Sequence, residues 1–364
     1  MKKNTWYLFI AGLVVLIVLL SGCEAIFSPT IYEPTPTKLR YNISYGYLVN
    51  STGTGRYQIT YLCNIPEVLV GTTTYHLLYN HEYQTTMVLN NTLIQWDISG
   101  KAEQTYELGL STQVESESYL VTDLNGESAL TINEIAMRYP EIFHYYTQIQ
   151  ANETIRFIDP YDTNIITIAE TIHSNIETNN TFLVSKALFV WLKENIQYQT
   201  HSIEEGVQPA TVTLNTRAGD CDDLSFLYIS LCRVLGIPAR FIRGYLLTSY
   251  DNGTASATAH AWVEVFIGGS VGHNGWISVE CACCTTSIET DIHQNFGVET
   301  AFHLRLFTDD GSNESLTSLL SGISYITYGL DRTIELQSFV EIQDYQELES
   351  KKLVITGENA RYYE

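Results

Sequence analysis

Residues 219–224 read GDCDDL and run straight into SFLYISLCRVLGIPARF at 225–241. From Leu224 onward, Leu224, Leu227, Tyr228, Leu231, Val234 and Leu235 recur at helical spacing. That spacing predicts a helix with a deeply buried stripe. Gly236 and Pro238 supply its stop signal. Gly219 permits a tight turn, and Asp220 suits the N-cap. Cys221 then falls in the first turn, where free N–H groups and the helix dipole favour an anion. A cysteine there loses its proton more readily, and the thiolate is the nucleophilic form. The same N–H groups could receive the oxyanion of an attacked carbonyl. Asp222 and Asp223 oppose a thiolate, so they are expected to face elsewhere as helix-start partners. The plainer reading is that Cys221 only packs, as free cysteines often do. A partner base decides between the two.

AHAWVEVF at 259–266 has the composition of a strand. Ala261, Val263 and Val265 would take one face, and His260, Trp262 and Glu264 the other. After the glycine-rich GGSVGHNG, WISVE at 276–280 reads as a second strand, with Trp276, Ser278 and Glu280 on one face. A hairpin pairing Glu264 with Trp276 would set His260 opposite Glu280. A carboxylate can then hold an imidazole, and the imidazole can take a thiol proton, as acyl transfer requires.

The stretches GDCDDLSFLYISLCRVLGIPARFIRGYLL, AHAWVEVF and GWISVE, in that order, resemble the transglutaminase-like superfamily. This is a papain-like group with a helix-start cysteine, a strand histidine and an aspartate on the following strand. The resemblance covers about residues 170–285 and implies Cys221 as nucleophile, His260 as general base and Glu280 as third member. One departure stands out: the family pattern places Asp-Pro where this chain has Glu280-Cys281. Glu is one methylene longer, so the alignment of the imidazole would have to adjust.

The front half has a different character. Leu39, Tyr41, Ile43, Tyr45, Tyr47 and Val49 alternate, as do Tyr57, Ile59, Tyr61, Cys63 and Ile65, with the turn STGTG between them. Further alternation at 85–89, 92–98 and 104–114 makes 38–155 an antiparallel β-sandwich-like domain. It is similar to the β-rich domain often found ahead of such cores. Near 160 the pattern turns helical. Asp162 could cap a helix carrying Ile165, Ile168, Ala169 and Ile172, and a second carries Val184, Ala187, Leu188, Trp191 and Leu192. The fold class expected is therefore α+β, with a papain-like transglutaminase core over 156–330. Residues 331–364, with TIELQSFVEI and KLVITG, would close the core as strands or form an appended module.

The start of the chain reads as an address. Lys2 and Lys3 precede an apolar run from Trp6 to Leu20, and Leu20-Ser21-Gly22-Cys23 resembles a lipobox. Residues 1–22 would be a lipoprotein-type signal peptide and Cys23 the lipidated residue; an uncleaved membrane anchor is the other reading. Residues 23–37 hold the proline-rich SPTIYEPTPT and read as an extended spacer. Sequons at Asn42, Asn50, Asn90, Asn152, Asn179, Asn252 and Asn313 fit a glycosylated exterior. The protein would sit at the cell surface, membrane-anchored and extracytoplasmic. With 41 acidic against 19 basic residues, nucleic acid is disfavoured as a partner.

Other residues compete for attention. His173, His201, His273, His293 and His303 lack a comparable strand pattern. CACC at 281–284, with His273 and His293 nearby, is too tight for a zinc site, which uses separated ligand pairs. A disulfide suits an oxidising exterior better. Without Cys23 and Cys221, Cys63, Cys232, Cys281, Cys283 and Cys284 are an odd set, so at least one stays free or pairs between chains.

The expected function is attack of Cys221 on amide carbonyls of a protein or peptide substrate, giving a thioester that water resolves. Cross-linking to an amine is one alternative. A non-catalytic binding module on the same fold is the other. No metal or organic cofactor is required by this chemistry.

Overall fold

The computed structural model describes residues 29–148, 156–200, 206–282, 285–318, 322–357 and 359–364. The apolar run at 6–20, Cys23, His201, Cys283 and Cys284 lie outside the described residues. Among the described residues, no helix is long and apolar enough to cross a membrane. The architecture is α+β: a β-sandwich and a mixed helix-and-sheet core.

The alternating segments belong to two antiparallel sheets packed face to face. One sheet orders Thr333–Lys351, Thr35–Thr52, Gln104–Glu117 and Gly71–Leu77. The other orders Gly322–Tyr328, Arg56–Asn64, Asn91–Gly100 and Tyr83–Val88. Period-two alternation sends every second side chain inward. Leu39, Tyr41 and Ile43 thus meet Tyr61, Ile94 and Trp96 in one core. Tyr61 and Trp96 stack with centroids 5.5 Å apart, and the Tyr57 and Tyr106 hydroxyls meet at 2.6 Å. The inward-facing tyrosines of the front half are packing residues: Tyr45 also donates to the Asn64 carbonyl at 2.6 Å, whereas the Tyr41 hydroxyl is buried without a hydrogen-bond partner among the described residues.

The two ends of the chain differ from the sequence expectation. Thr333–Lys351 does not join the core. It pairs along Thr35–Thr52, from Thr333 opposite Thr52 to Lys351 opposite Thr35. Gly322–Tyr328 likewise pairs with Arg56–Asn64. The physical reason is that a sandwich built from 38–155 alone leaves each of those strands with an open edge, which the distal segments cover. The spacer is also not free of the body: Pro36 already pairs with Ser350, and Thr30 pairs with Ile355 in a small sheet of Thr30–Ile31, Leu353–Thr356 and Ala360–Tyr363. Arg361 in the last strand is buried and donates to the carbonyls of Val121, His293 and Phe296 at 2.7, 2.6 and 2.6 Å.

In the core, the helix Cys221–Val234 buries Leu224, Phe226, Leu227, Tyr228, Ile229 and Leu231. Each such side chain contributes about 1.5–3 kcal/mol by burial. Helices Thr163–Ile176, Thr181–Asn195 and Ala210–Thr216 pack around it. Asp162 caps the first of these by accepting from the N–H groups of Asn164 and Ile165, and Asn180 caps the second through Leu183. The Cys221 helix ends as predicted, with Gly236 at φ +74°. Its other neighbour is an antiparallel sheet ordered Trp276–Val279, Ala255–Phe266, Ala239–Ser249 and His303–Thr308. Leu247 and Leu304 carry that sheet into the sandwich core, joined by Ala301 from the preceding turn.

Candidate active site

The Cys221 helix begins at a close approach of two chain segments. Ala218–Gly219 pairs in parallel with Gln197–Tyr198, and Gly219 lies under the helix start. A Cβ on Gly219 would come within 2.6 Å of the Asp223 Cβ, so the turn needs glycine for room. Asp223 reaches back to the Asp220 N–H at 3.0 Å and accepts from the Gln208 N–H at 2.8 Å. It faces the helix start, as expected. Asp222 does not turn away. Its carboxylate lies 3.9 Å from the Cys221 thiol.

The electrostatics of the thiol follow from this. Burial comes first, then the charges of Asp222 and Asp220, and together they push the Cys221 thiol well above its ordinary value. The Ala261 N–H favours the anion but is outweighed. Burial and these acids thus oppose the thiolate that the helix N-terminus favours. Burial, with Asp220 and Asp223, also raises the Asp222 carboxyl to about 6, against the pull of Arg243 and His260.

Cys221 and His260 line one open cleft of about 780 Å³, together with Gln197, Tyr198, Thr258 and Ala282. His260 lies on the strand Ala255–Phe266, buried, opposite Gly244. Its Nε2 meets Glu280 Oε2 at 2.7 Å. The strand register differs from the one expected by two residues: Phe266 faces Trp276 and Glu264 faces Ser278. The reason is the tight loop, in which Gly268, Gly269, Gly272 and Gly275 all have positive φ and Ile267 bonds back to Gly275. The strand runs on to Phe266, and Glu280 reaches His260 diagonally. On a diagonal the extra methylene of Glu is an advantage.

Glu280 is engaged on both oxygens. Oε1 accepts from the Ala282 N–H at 2.8 Å, and Oε2 is shared between His260 and His303, whose Nε2 lies at 3.3 Å. Burial works against its charge, but the two histidines outweigh burial and hold the carboxyl far below the usual range. Burial also disfavours the charged imidazole of His260, yet Glu280 and Asp222 win and raise it above its ordinary value. An ionised carboxylate only accepts, so His260 Nε2 carries the hydrogen and the lone pair is left on Nδ1. The donor atoms of His260, Glu280 and His303 lie within 4.8 Å of one another. Both carboxylate oxygens and both His303 nitrogens are hydrogen-bonded at this cluster.

Behind the cluster, Trp262 packs edge-on to His303 with centroids 4.8 Å apart. Trp262 Nε1 donates to Glu299, which also accepts from Ser278 at 2.6 Å and pairs with Arg305. Arg305 and Arg240 in turn hold Glu264 at 2.6 and 2.5 Å. These buried charges are mutually paired, so the layer under His260 is rigid.

The structure thus gathers Cys221, His260 and Glu280 as the sequence suggested, and adds His303 and Asp222, which the sequence reading set aside. The alternation of His303, Arg305 and Phe307 was the available signal. Two of the other histidines are engaged elsewhere: His173 Nε2 lies 2.9 Å from the Thr178 carbonyl, and His293 lies 2.9 Å from the Tyr32 hydroxyl. Cys63, Cys232 and Cys281 are buried free thiols, so no disulfide forms among the described residues.

A helix-start cysteine and a strand histidine thus share one cleft, and a buried carboxylate just past the neighbouring strand bonds to that histidine. Comparison gives the family: residues 167–281 match the model of the transglutaminase-like superfamily, and this segment is a transglutaminase-like core. The uncharacterized protein YebA of Bacillus subtilis (strain 168) is 35% identical over 74 residues, which is 18% of this chain and 10% of that protein. The uncharacterized protein ML0607 of Mycobacterium leprae (strain TN) is 25% identical over 114 residues, 30% of this chain and 39% of that one. The chain therefore spans well under two thirds of either curated relative. Among solved structures, a candidate cysteine protease from Cytophaga hutchinsonii aligns over 93% of this chain and 100% of its own, with 14% identity and a TM-score of 0.47. The periplasmic domain of TgpA from Pseudomonas aeruginosa aligns over 65% and 87%, with 14% identity and a TM-score of 0.34.

Proposed function

We propose that the chain is a cysteine hydrolase acting on amide bonds of proteins or peptides at the cell surface. The observation that carries this reading is the 2.7 Å contact of His260 with Glu280, in a cleft that also holds Cys221. His260 Nδ1 takes the Cys221 proton as Sγ attacks the carbonyl. The N–H groups at the helix start receive the oxyanion. Protonated His260, steadied by Glu280, then gives its proton to the leaving amine, and a thioester remains. Water attacks that thioester with His260 again as base, releasing an acid and restoring the thiol.

The openness of the cleft to solvent favours water as acceptor over an amine. Incubation with a protein substrate and a fluorescent primary amine tests the choice. New carboxyl termini or released ammonia, lost in Cys221→Ser, support hydrolysis. Covalent amine incorporation would replace hydrolysis with cross-linking, and neither product would leave a binding module. The basic start, apolar run and Cys23 support a lipid-tethered, extracytoplasmic location. Incorporation of labelled palmitate, lost in Cys23→Ala, is the check.

A further inference from the structure

His303 is a buried histidine on a strand that does not pair with the His260 strand. His303–Thr308 pairs with Ala239–Ser249, on its side away from Ala255–Phe266. Its ring still reaches the carboxylate oxygen that His260 uses. Its Nδ1 is fixed in turn by the Thr300 hydroxyl at 2.9 Å. Since ionised Glu280 only accepts, His303 Nε2 donates to it. A second cavity of about 290 Å³, lined by Glu280, His303, Asn295 and Thr300, lies on this side of the carboxylate.

A donor on a shared oxygen draws off negative charge that would otherwise bear on His260. Were Glu280 to serve His260 alone, the imidazolium would be held more tightly. The base would then be spent over more of the pH range. We propose that His303 is a positioning residue that takes up part of the Glu280 charge, so that His260 stays a neutral base able to accept the Cys221 proton. The proposal rests on the reading of Cys221 and His260 as nucleophile and base. The other charged group bearing on His260 is Asp222 from the helix. Arg243 offsets Asp222, and the Glu299–Arg305–Glu264 set behind Trp262 is internally paired.

The test follows the His260 imidazole by NMR across pH in wild type, His303→Leu and His303→Gln, with resonances assigned by a His260→Ala spectrum. His303→Leu removes the donor, and His303→Gln restores a neutral one. The His260 midpoint should rise by about half a pH unit or more in His303→Leu, and return close to wild type in His303→Gln. A midpoint that is unchanged, or that falls, in a folded His303→Leu protein overturns the proposal. Should that variant not fold, Thr300→Val, which frees the far side of the ring, should give a smaller rise of the same sign, and no rise there overturns it equally. Alkylation of Cys221 on the same samples separates the two claims. Indifference of Cys221 to His260→Ala would sink the nucleophile–base reading while the NMR result still decides the coupling.

Discussion

His260 and Glu280 meet at 2.7 Å although they are not cross-strand partners: the paired strand ends with Val279 opposite Val263, and Glu280 crosses back on the diagonal. The pair is buried, so its hydrogen bond is charge-assisted whenever His260 is protonated. Such bonds contribute about 1.5–3 kcal/mol, and Glu280→Gln keeps the shape while discarding the charge. The rate of Cys221 alkylation at neutral pH should fall by about 10- to 100-fold. Its acid limb should move to lower pH, because His260 loses the partner that raises it. Glu280→Asp, too short for the diagonal, should fall by a similar factor.

Asp222 bears on the thiol from one residue away. Its folded carboxyl is raised to about 6, above the unfolded value. The folded protein therefore holds that proton more tightly, and wild-type stability declines as pH climbs from about 4 through about 6. Asp222→Asn should remove that decline, seen as a Tm advantage over wild type that grows with pH across this window. The same change lowers the thiol, so Cys221 alkylation at neutral pH should quicken by about 3- to 10-fold.

The start of the Cys221 helix depends on Gly219 and Asp223. Gly219→Ala drives a Cβ to 2.6 Å from the Asp223 Cβ, and Asp223 is fully buried with its oxygens committed to Asp220 and Gln208. The variant should lose stability by about 1–3 kcal/mol. It should also slow Cys221 alkylation at every pH, because the helix start that holds the thiol is displaced. Denaturant unfolding together with alkylation at two pH values checks both halves.

Arg361 ties the chain's end to the core through the carbonyls of Val121, His293 and Phe296. Two of these belong to the last turn and C-cap of the helix Ile288–Asn295, where a cation is favoured. Arg361→Met leaves buried carbonyls without a donor. It should cost at least about 3 kcal/mol by denaturant unfolding. Relative to that loss, Cys221 reactivity in the folded fraction should change little.

The parts legible in the sequence are those governed by local periodicity. Leu224, Leu227, Tyr228 and Leu231 predicted the buried helix, Asp162 its neighbour's cap, and the alternating tyrosines the inner face of the sandwich. What escaped is set by pairing between distant segments. Nothing local marks Thr333–Lys351 as the partner of Thr35–Thr52, nearly 300 residues earlier. His303 was passed over for the same reason, since its strand reaches Glu280 from the far side of Ala239–Ser249. The hairpin register failed through the conformations of four glycines, and with it the expected direct opposition of His260 and Glu280. The placing of Asp222 beside the thiol escaped because burial and side-chain orientation are tertiary facts.

The most direct measurement is the rate of iodoacetamide labelling at Cys221 against pH, located by peptide mass spectrometry, in wild type and His260→Ala. With Cys221 resting as a thiol and His260 as its base, the wild-type rate should rise through the His260 titration, above its ordinary value of about 6.5, and then level off. His260→Ala should lack that step and react only as the thiol ionises unaided, above about 8.5. Superimposable profiles for the two proteins would contradict the pairing of Cys221 with His260, and with it the reading of this cleft as an active site.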